Sequence, residues 1–260
     1  MSLLGSAVLA FWHDIAPGGD AEFNHWHTRE HIPERVGVPG FLCGRRYTAL
    51  AAAPRYFNLY ETESLATLSG AAYVARLNDP TPWTRRALPL FRNSKRTACR
   101  VALSLGSGVG DVIATLELGP APGRAEELGA WLTSTALPSV GERPGIVGVH
   151  LCEGDVETTQ VRTEEKKLRD RPDELARWVI LLEGIDAGVV ESAGASLLGP
   201  AELTRRGATD AGPWRSTACN TASRPERITL TLTPPSAGER AGGGAQGSSG
   251  RLSCHPAARS

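Results

Sequence analysis

The chain repeats itself. Shifted by 105 residues, Glu22 falls on Glu127, Trp26 on Trp131, Pro33 on Pro138, Pro39 on Pro144 and Gly40 on Gly145. Further along the shift becomes 122, and the segment from Arg55 to Glu61 meets the segment from Arg177 to Glu183. At a shift of 120, Thr84-Arg85-Arg86 meets Thr204-Arg205-Arg206, and Thr97-Ala98-Cys99 meets Thr217-Ala218-Cys219. Chance supplies any one of these matches, but not an ordered series with nearly constant offsets. The chain therefore reads as two copies of one module, residues 1–107 and 108–225, followed by a Gly/Ser/Ala/Pro tail over 226–260 that is expected to be disordered.

Each copy carries the same pattern of elements. Ala7 to His13, and Val112 to Leu118 in the second copy, read as apolar strands. A helix is expected from Asp20, its candidate N-cap, with Pro33 limiting or kinking its third turn. Pro39-Gly40 turns the chain into a strand from Phe41 to Leu50, and another strand runs from Tyr56 to Glu61. A helix from Ser64 to Leu77, a proline-rich loop from Asn78 to Leu90 and a last strand from Arg96 to Leu105 complete the copy. The order β-α-β-β-α-β is the ferredoxin-like split motif, so the expected fold class is α+β: tandem ferredoxin-like modules with antiparallel sheets forming an α/β barrel. The charged stretch Glu153 to Glu174 replaces a short connection of the first copy and reads as a solvated excursion.

Composition removes several classes of function. With Lys+Arg and Asp+Glu at 28 each, the net charge is zero, which argues against nucleic acid and anionic membranes as partners. No apolar run reaches the roughly 18 residues that span a bilayer, and Met1 to Phe11 reads as a first strand and not as a signal peptide. Five scattered cysteines without a CxxC pair suggest reduced structural thiols in a cytoplasmic protein. Cys254 and His255 in the tail are too isolated to hold a metal.

The two copies differ in their polar residues. His13, His25, His27, Glu30 and His31 fall on Leu118, Ala130, Leu132, Thr135 and Ala136; Tyr47 falls on Cys152 and Tyr60 on Leu182. Chemistry is therefore expected in the first copy, with the second as scaffold. At about 100° per residue, His27 and Glu30 share the face of Phe23 and Trp26, His31 sits at its edge and His25 points away. Imidazoles on a core face either satisfy one another or line a cavity where they move a proton near neutral pH. His27 and His31 also have the i, i+4 spacing of a metal-binding helix, but no third ligand is evident beyond His13, so no metal is assigned. Nor is there a GxGxxG or GxxxxGK[ST] loop, and no cofactor is expected.

The stretch Glu22-Phe23-Asn24-His25-Trp26-His27-Thr28-Arg29-Glu30-His31-Ile32-Pro33-Glu34-Arg35-Val36, with Pro39-Gly40-Phe41 and Arg45-Arg46-Tyr47, resembles the EthD-like group of the dimeric α/β-barrel superfamily. Members of that group often show a Trp, an acidic residue before His-x-Pro, a Pro-Gly-Phe turn and an Arg-Tyr strand. The resemblance implies facing ferredoxin-like sheets and a pocket for a small hydrophobic or aromatic, polyketide-like molecule. Relatives in the superfamily include cofactor-independent monooxygenases, isomerases and cyclases, and haem proteins. The expected site is His31 as proton carrier, Glu30 orienting it, His27 beside them, and Trp26, Tyr47, Tyr60 and His13 around the substrate. A non-catalytic binding or interaction module, or a haem- or metal-binding member, is the alternative. The chain is expected either as a monomer with an internal barrel or as a homodimer.

Overall fold

Alternating side chains send every second residue of these strands to one face, and closure of the sheet makes one face an interior. The computed structural model describes residues 3–51, 53–169 and 174–223. Its first half runs β1 (Ala7–Ile15), α1 (Asp20–Trp26), a π-helical turn (His27–His31), α2 (Ile32–Val36), β2 (Phe41–Ala49) and β3 (Tyr56–Thr62). It continues with α3 (Leu65–Ser69), α4 (Ala71–Asn78), α5 (Pro82–Ala87), a 3₁₀ turn (Leu88–Leu90) and β4 (Phe91–Gly106). The second half follows as β5 (Val112–Pro120), α6 (Ala125–Trp131), a π turn (Leu132–Ala136), α7 (Leu137–Gly141) and β6 (Ile146–Gly154). Then come α8 (Val156–Thr159), α9 (Glu164–Lys167), β7 (Trp178–Gly184), α10 (Ala187–Leu197), α11 (Pro200–Arg205), the two-residue β8 (Ala208–Thr209) and β9 (Arg215–Ser223).

The strand order is β4-β1-β3-β2 in the first half and β9-β5-β7-β6 in the second. Two antiparallel seams, β4 with β6 and β2 with β9, join the halves into a closed antiparallel barrel of eight strands. No helix among the described residues is long and apolar enough to cross a membrane.

The interior is filled by Val8, Ala10, Trp12, Phe57, Leu59, Cys99, Ile113, Cys152, Val179 and Leu181. Burial pushes the Cys152 thiol up to about 12, consistent with an inert packing role. Charged groups meet within this interior. The Arg45 guanidinium donates to Glu183 at 2.8 and 3.2 Å and to Glu61 at 2.9 Å, and the amide of Gly110 also donates to Glu183. Burial alone would raise the Glu183 carboxyl; Arg45, with help from His150, pushes it down to about 2.

Helices cover the outer face of each half-barrel. In the second half, Leu128, Leu132, Ala136, Leu137 and Val140 close on Ala114, Leu116, Leu118, Val149, Leu151, Ile180 and Leu182. In the first half the equivalent layer mixes aromatic and polar groups.

Several local features depart from the sequence reading. Gly19, not Asp20, sits at the N-cap of α1, and the Asp20 carboxylate instead accepts from the Tyr56 hydroxyl at 2.7 Å and from Arg55 at 3.0 Å. Pro33 neither ends nor breaks the helix. The turn before it widens, so that Ile32 N–H reaches the His27 carbonyl, and Leu137 and Leu132 do the same before Pro138. A proline lacks the N–H that would bond four residues back, and the wider turn absorbs that loss. The helix expected over Ser64 to Leu77 is split at Gly70, and the expected loop after Asn78 contains α5, which starts with Pro82 at its first turn and Thr81 as N-cap. The charged excursion is not solvated throughout: Thr159, Thr163 and Glu165 are buried against the first half. Its Thr159 hydroxyl accepts from the Ala98 amide at 2.9 Å, and its Glu164 amide donates to Asn78 at 3.1 Å. Residues 226–260, including Cys254 and His255, lie outside the described residues.

Removing one partner of a buried ion pair strands the other charge. Glu183→Ala should therefore lower unfolding stability by about 3–5 kcal/mol in urea titration. A loss below about 1 kcal/mol would show that Arg45 is already satisfied by Glu61.

Candidate functional site

The outer faces of β1, β2, β3 and β4 and the helix from Asp20 to Val36 enclose a layer holding most of the residues expected from sequence. Phe23 and Trp26 are fully buried, as the apolar face of α1 requires. His13, at the end of β1, lies among Phe11, Phe23, Tyr56 and Phe91, with ring centroids 4.4 to 5.4 Å away. Its Nε2 accepts from the Asn58 amide at 2.9 Å and its Nδ1 faces the Asp14 carbonyl at 3.3 Å. Burial, reinforced by Arg169 and Arg46, pushes the His13 imidazole down to about 3.

His27 is the centre of a directed chain of hydrogen bonds. A guanidinium only donates, so His27 Nδ1 accepts from Arg46 Nη1 at 3.3 Å. The ring is then neutral with its proton on Nε2, which faces the Tyr60 hydroxyl oxygen at 3.2 Å. Having accepted from His27, Tyr60 keeps its own O–H to donate elsewhere. Arg46 is itself held by the Thr28 hydroxyl at 3.1 Å and lies over the Phe23 ring.

His31 stacks between Trp26, at 4.4 Å, and His27, at 5.3 Å, and is partly exposed. Its Nδ1 is shut off from solvent and has no hydrogen-bond partner. Burial first, then Arg35, His27, Arg169 and Arg96, hold His31 well below the ordinary imidazole range, and burial, Arg46, His13 and Arg35 do the same for His27.

A cavity of about 30 Å³ opens beside His31 and Tyr60. Leu9, Phe11, Leu77, Leu88 and Phe91 form its apolar wall, and Arg35, Tyr73, Arg96, Thr163, Glu165, Lys166 and Arg169 supply the polar one. That volume holds roughly two water molecules. A larger ligand enters only if the covering segment 163–169 gives way. A second, more open groove of about 240 Å³ lies against Asp155, Arg177 and Trp178 and contains none of the expected residues.

Sequence reasoning placed Glu30 beside His31 as its orienting carboxylate. The Glu30 carboxylate instead accepts from Trp26 Nε1 at 3.1 Å and from the Thr81 and Thr84 hydroxyls at 2.6 and 3.1 Å, fastening α1 to α5. Tyr47 is separated from the other expected residues. It points into the barrel, packs on Phe57 and lies beside the Arg45 guanidinium. Tyr60, two strand positions along from Asn58 on the helix-facing side, is the tyrosine that reaches the histidines. His25 is exposed, against Trp83.

The residues missed from sequence are Arg35, Arg46, Asn58, Tyr73, Arg96 and the 163–169 segment. Alternation along β2 and β3 was the available signal for Arg46 and Asn58, which share the helix-facing side with Tyr56 and Tyr60. Nothing local announced Arg35 and Glu165, 130 residues apart in the chain.

Among the described residues, no group of three or more His, Cys, Asp or Glu side chains is placed to hold a metal ion. The cavity of about 30 Å³ lacks room for a haem macrocycle; both ring nitrogens of His13 and of His27 already face partners, and the unpartnered Nδ1 of His31 is shut off from solvent.

The sequence matches no protein-family model and no curated protein. Solved structures do match. An anthrone oxidase-like protein aligns with a TM-score of 0.57 at 13% identity, over 86% of this chain and 95% of its own. A candidate monooxygenase from Lactobacillus acidophilus NCFM aligns with a TM-score of 0.54 at 9% identity, over 84% and 96%. A candidate chlorite dismutase gives 0.53 at 11%, over 85% and 96%. This chain shares with them the fold of a closed, eight-stranded antiparallel α+β barrel. Identities this low carry the fold and no activity.

Neutral buried imidazoles make stability depend on pH. An unfolded imidazole binds a proton below about 6.5, whereas folded His13 resists until about 3. The unfolded state then holds more protons, so stability is full above pH 6.5 and falls as pH drops. Urea midpoints should decline steadily from pH 6.5 to 4.5, with His13 alone contributing up to about 1.4 kcal/mol per pH unit. A midpoint that stays flat over this window would mean that these rings protonate in the folded state.

Proposed function

We propose that the first-half layer is the active site of a small-molecule enzyme that moves a proton on a hydrophobic or aromatic substrate without a cofactor. The observation that carries this reading is the contrast between two layers built on one backbone plan. One is closed by leucines and alanines, and the other holds His13, His27, His31, Arg46, Asn58 and Tyr60, of which His31 and Tyr60 line a cavity. Stability alone does not require such groups, since burying them is unfavourable unless they are paired, and Leu132 and Ala136 fill the matching positions. We read residues 1–107 and 108–225 as duplicated modules that complete one barrel in a monomer, with kinship to the EthD-like group resting on the His-x-Pro and Pro-Gly-Phe segments.

In this reading His31 is the base. His31 lines the cavity, and its neutral ring, with Nδ1 unpartnered, accepts a proton from an acidic C–H or O–H of the substrate. Tyr60 donates its hydroxyl proton to the oxyanion that forms, with Arg46 polarising it through His27. Glu30 and His13 hold the scaffold. Anthrone is a suitable probe, because loss of its methylene proton gives an aromatic anthrolate. One O₂ then converts each anthrone to anthraquinone and water. The relative described as anthrone oxidase-like motivates the choice.

Oxygen uptake with anthrone, together with thermal shifts on anthrone and aromatic phenols, tests the reading. His31→Asn should cut turnover by about 10² to 10⁴ while the fold persists, because a positioned proton-transfer group is worth that much. Turnover should also stay level from pH 8 down through 6.5 and fall only in more acid solution, since the base works unprotonated and is held below the ordinary imidazole value. Wild-type turnover in the Asn variant removes His31 from the chemistry, and thermal shifts without turnover favour a binding module.

A further inference from the structure

We propose that the first-half cavity is an anion site, and that its ligand is an aromatic carboxylic acid whose carboxylate takes the place of Glu165 on Arg35. The inference rests on the reading of this cavity as a small-molecule site and adds the chemical class of what enters it.

Four basic side chains line the cavity, namely Arg35, Arg96, Lys166 and Arg169, against the single carboxylate of Glu165. None of the four is idle. Arg96 donates to the Tyr73 hydroxyl at 3.1 Å, Lys166 to the Thr159 carbonyl, and Arg169 lies over the Phe11 ring. Arg35 keeps unused donor capacity. It is 1% exposed, its Nη2 is engaged by Glu165 and lies 3.7 Å from Glu34, and its Nη1 has no hydrogen-bond partner. A guanidinium is built to hold a carboxylate through two parallel N–H bonds, and here only one of its nitrogens is used. His31 and Thr163 line the same cavity, and His31 Nδ1 and Thr163 Oγ1 also have no hydrogen-bond partner.

Glu165 is delivered from outside the repeated plan. It sits on α9, in the stretch between β6 and β7 where the first half has only a short turn. A carboxylate arriving on such a surface segment is exchangeable for the same group on a ligand. Burial also raises the Glu165 carboxyl despite the attraction of Arg35. The cavity is about the size of a carboxylate head, and its wall of Leu9, Phe11, Leu77, Leu88 and Phe91 is apolar and carries two aromatic rings against which a ligand's ring would pack once α9 moves aside. The Tyr60 hydroxyl, its oxygen already accepting from His27, adds a neutral donor on the same side.

Calorimetric titration of the full chain with 2-naphthoate and with its uncharged isostere 2-naphthamide tests this. A charge-assisted bond to buried Arg35 should make naphthoate bind about 10- to 100-fold more tightly than naphthamide. Glu165→Gln removes the internal competitor and should tighten naphthoate about tenfold or more while leaving naphthamide unchanged. Arg35→Gln, checked for a native near-ultraviolet spectrum, should bring the two probes to equal affinity; if it does not fold, the Glu165→Gln comparison decides alone. Equal affinities for the two probes in the wild type and in Glu165→Gln overturn the anion inference and leave the cavity reading standing. So does naphthoate binding that Glu165→Gln does not move, since the acid then sits elsewhere. Binding of neither probe to either protein overturns both.

Discussion

Barrel closure is the constraint on which the rest of the molecule depends. A half with strand order β4-β1-β3-β2 leaves β2 and β4 as open edges, each a row of unpaired amides and carbonyls. The seams to β9 and β6 satisfy both edges, so neither half is complete without the other. Closure also divides the side chains. Inward positions must fill the lumen, which Trp12, Phe57 and Leu59 do, and the charges that enter it are tied together through Arg45, Glu61 and Glu183. Any site for a small molecule is then left to the outer faces, beneath the helices.

Those two outer layers share a backbone plan, down to a π turn before each proline. A π turn often accompanies function, but here its presence in both halves traces it to Pro33 and Pro138. Side chains alone separate the layers. The leucine-rich layer of the second half needs no polar partners and contributes apolar burial directly. The first-half layer satisfies His13 and His27 through Asn58, Arg46 and Tyr60 in bonds of 2.9 to 3.3 Å, and leaves His31 Nδ1 without a partner. One half can thus carry polar, less stable packing because the other does not.

Much of this was legible in the sequence, and the failures have physical causes. Ordered self-matches and element order led to tandem α+β modules and a barrel, because tryptophans, prolines and glycines that recur at fixed offsets mark turns and packing positions. Comparing the copies also located the polar layer. Tyr47 went astray through a strand irregularity: the register shifts between Phe41 and Cys43, so Phe41 packs under the helices while Tyr47 turns into the lumen. Glu30 was placed beside His31 by sequence adjacency, but its partners Thr81 and Thr84 come from a helix that prolines disguised as a loop. The run around Glu164 to Lys167 has the composition of a solvated surface. Only a partner as distant as Arg35 makes Glu165 a buried residue, and no local pattern encodes that contact.

The electrostatics of the cavity tie binding to chemistry. Burial, and after it Arg35, Arg169 and Arg96, disfavour a charged His31, which keeps the base unprotonated and ready to accept. The same field opposes the imidazolium that forms once the proton has moved, so by itself it limits the driving force for transfer. A negative charge placed nearer the ring than the Glu165 carboxylate opposes the effect, because an anion favours the protonated ring. A ligand carboxylate that takes the place of Glu165 on Arg35 would raise the basicity of His31 to the extent that it sits closer to the imidazole than the group it displaces. Selectivity and proton transfer would share one source, the arginine charge that the fold gathers between its helices and its sheet.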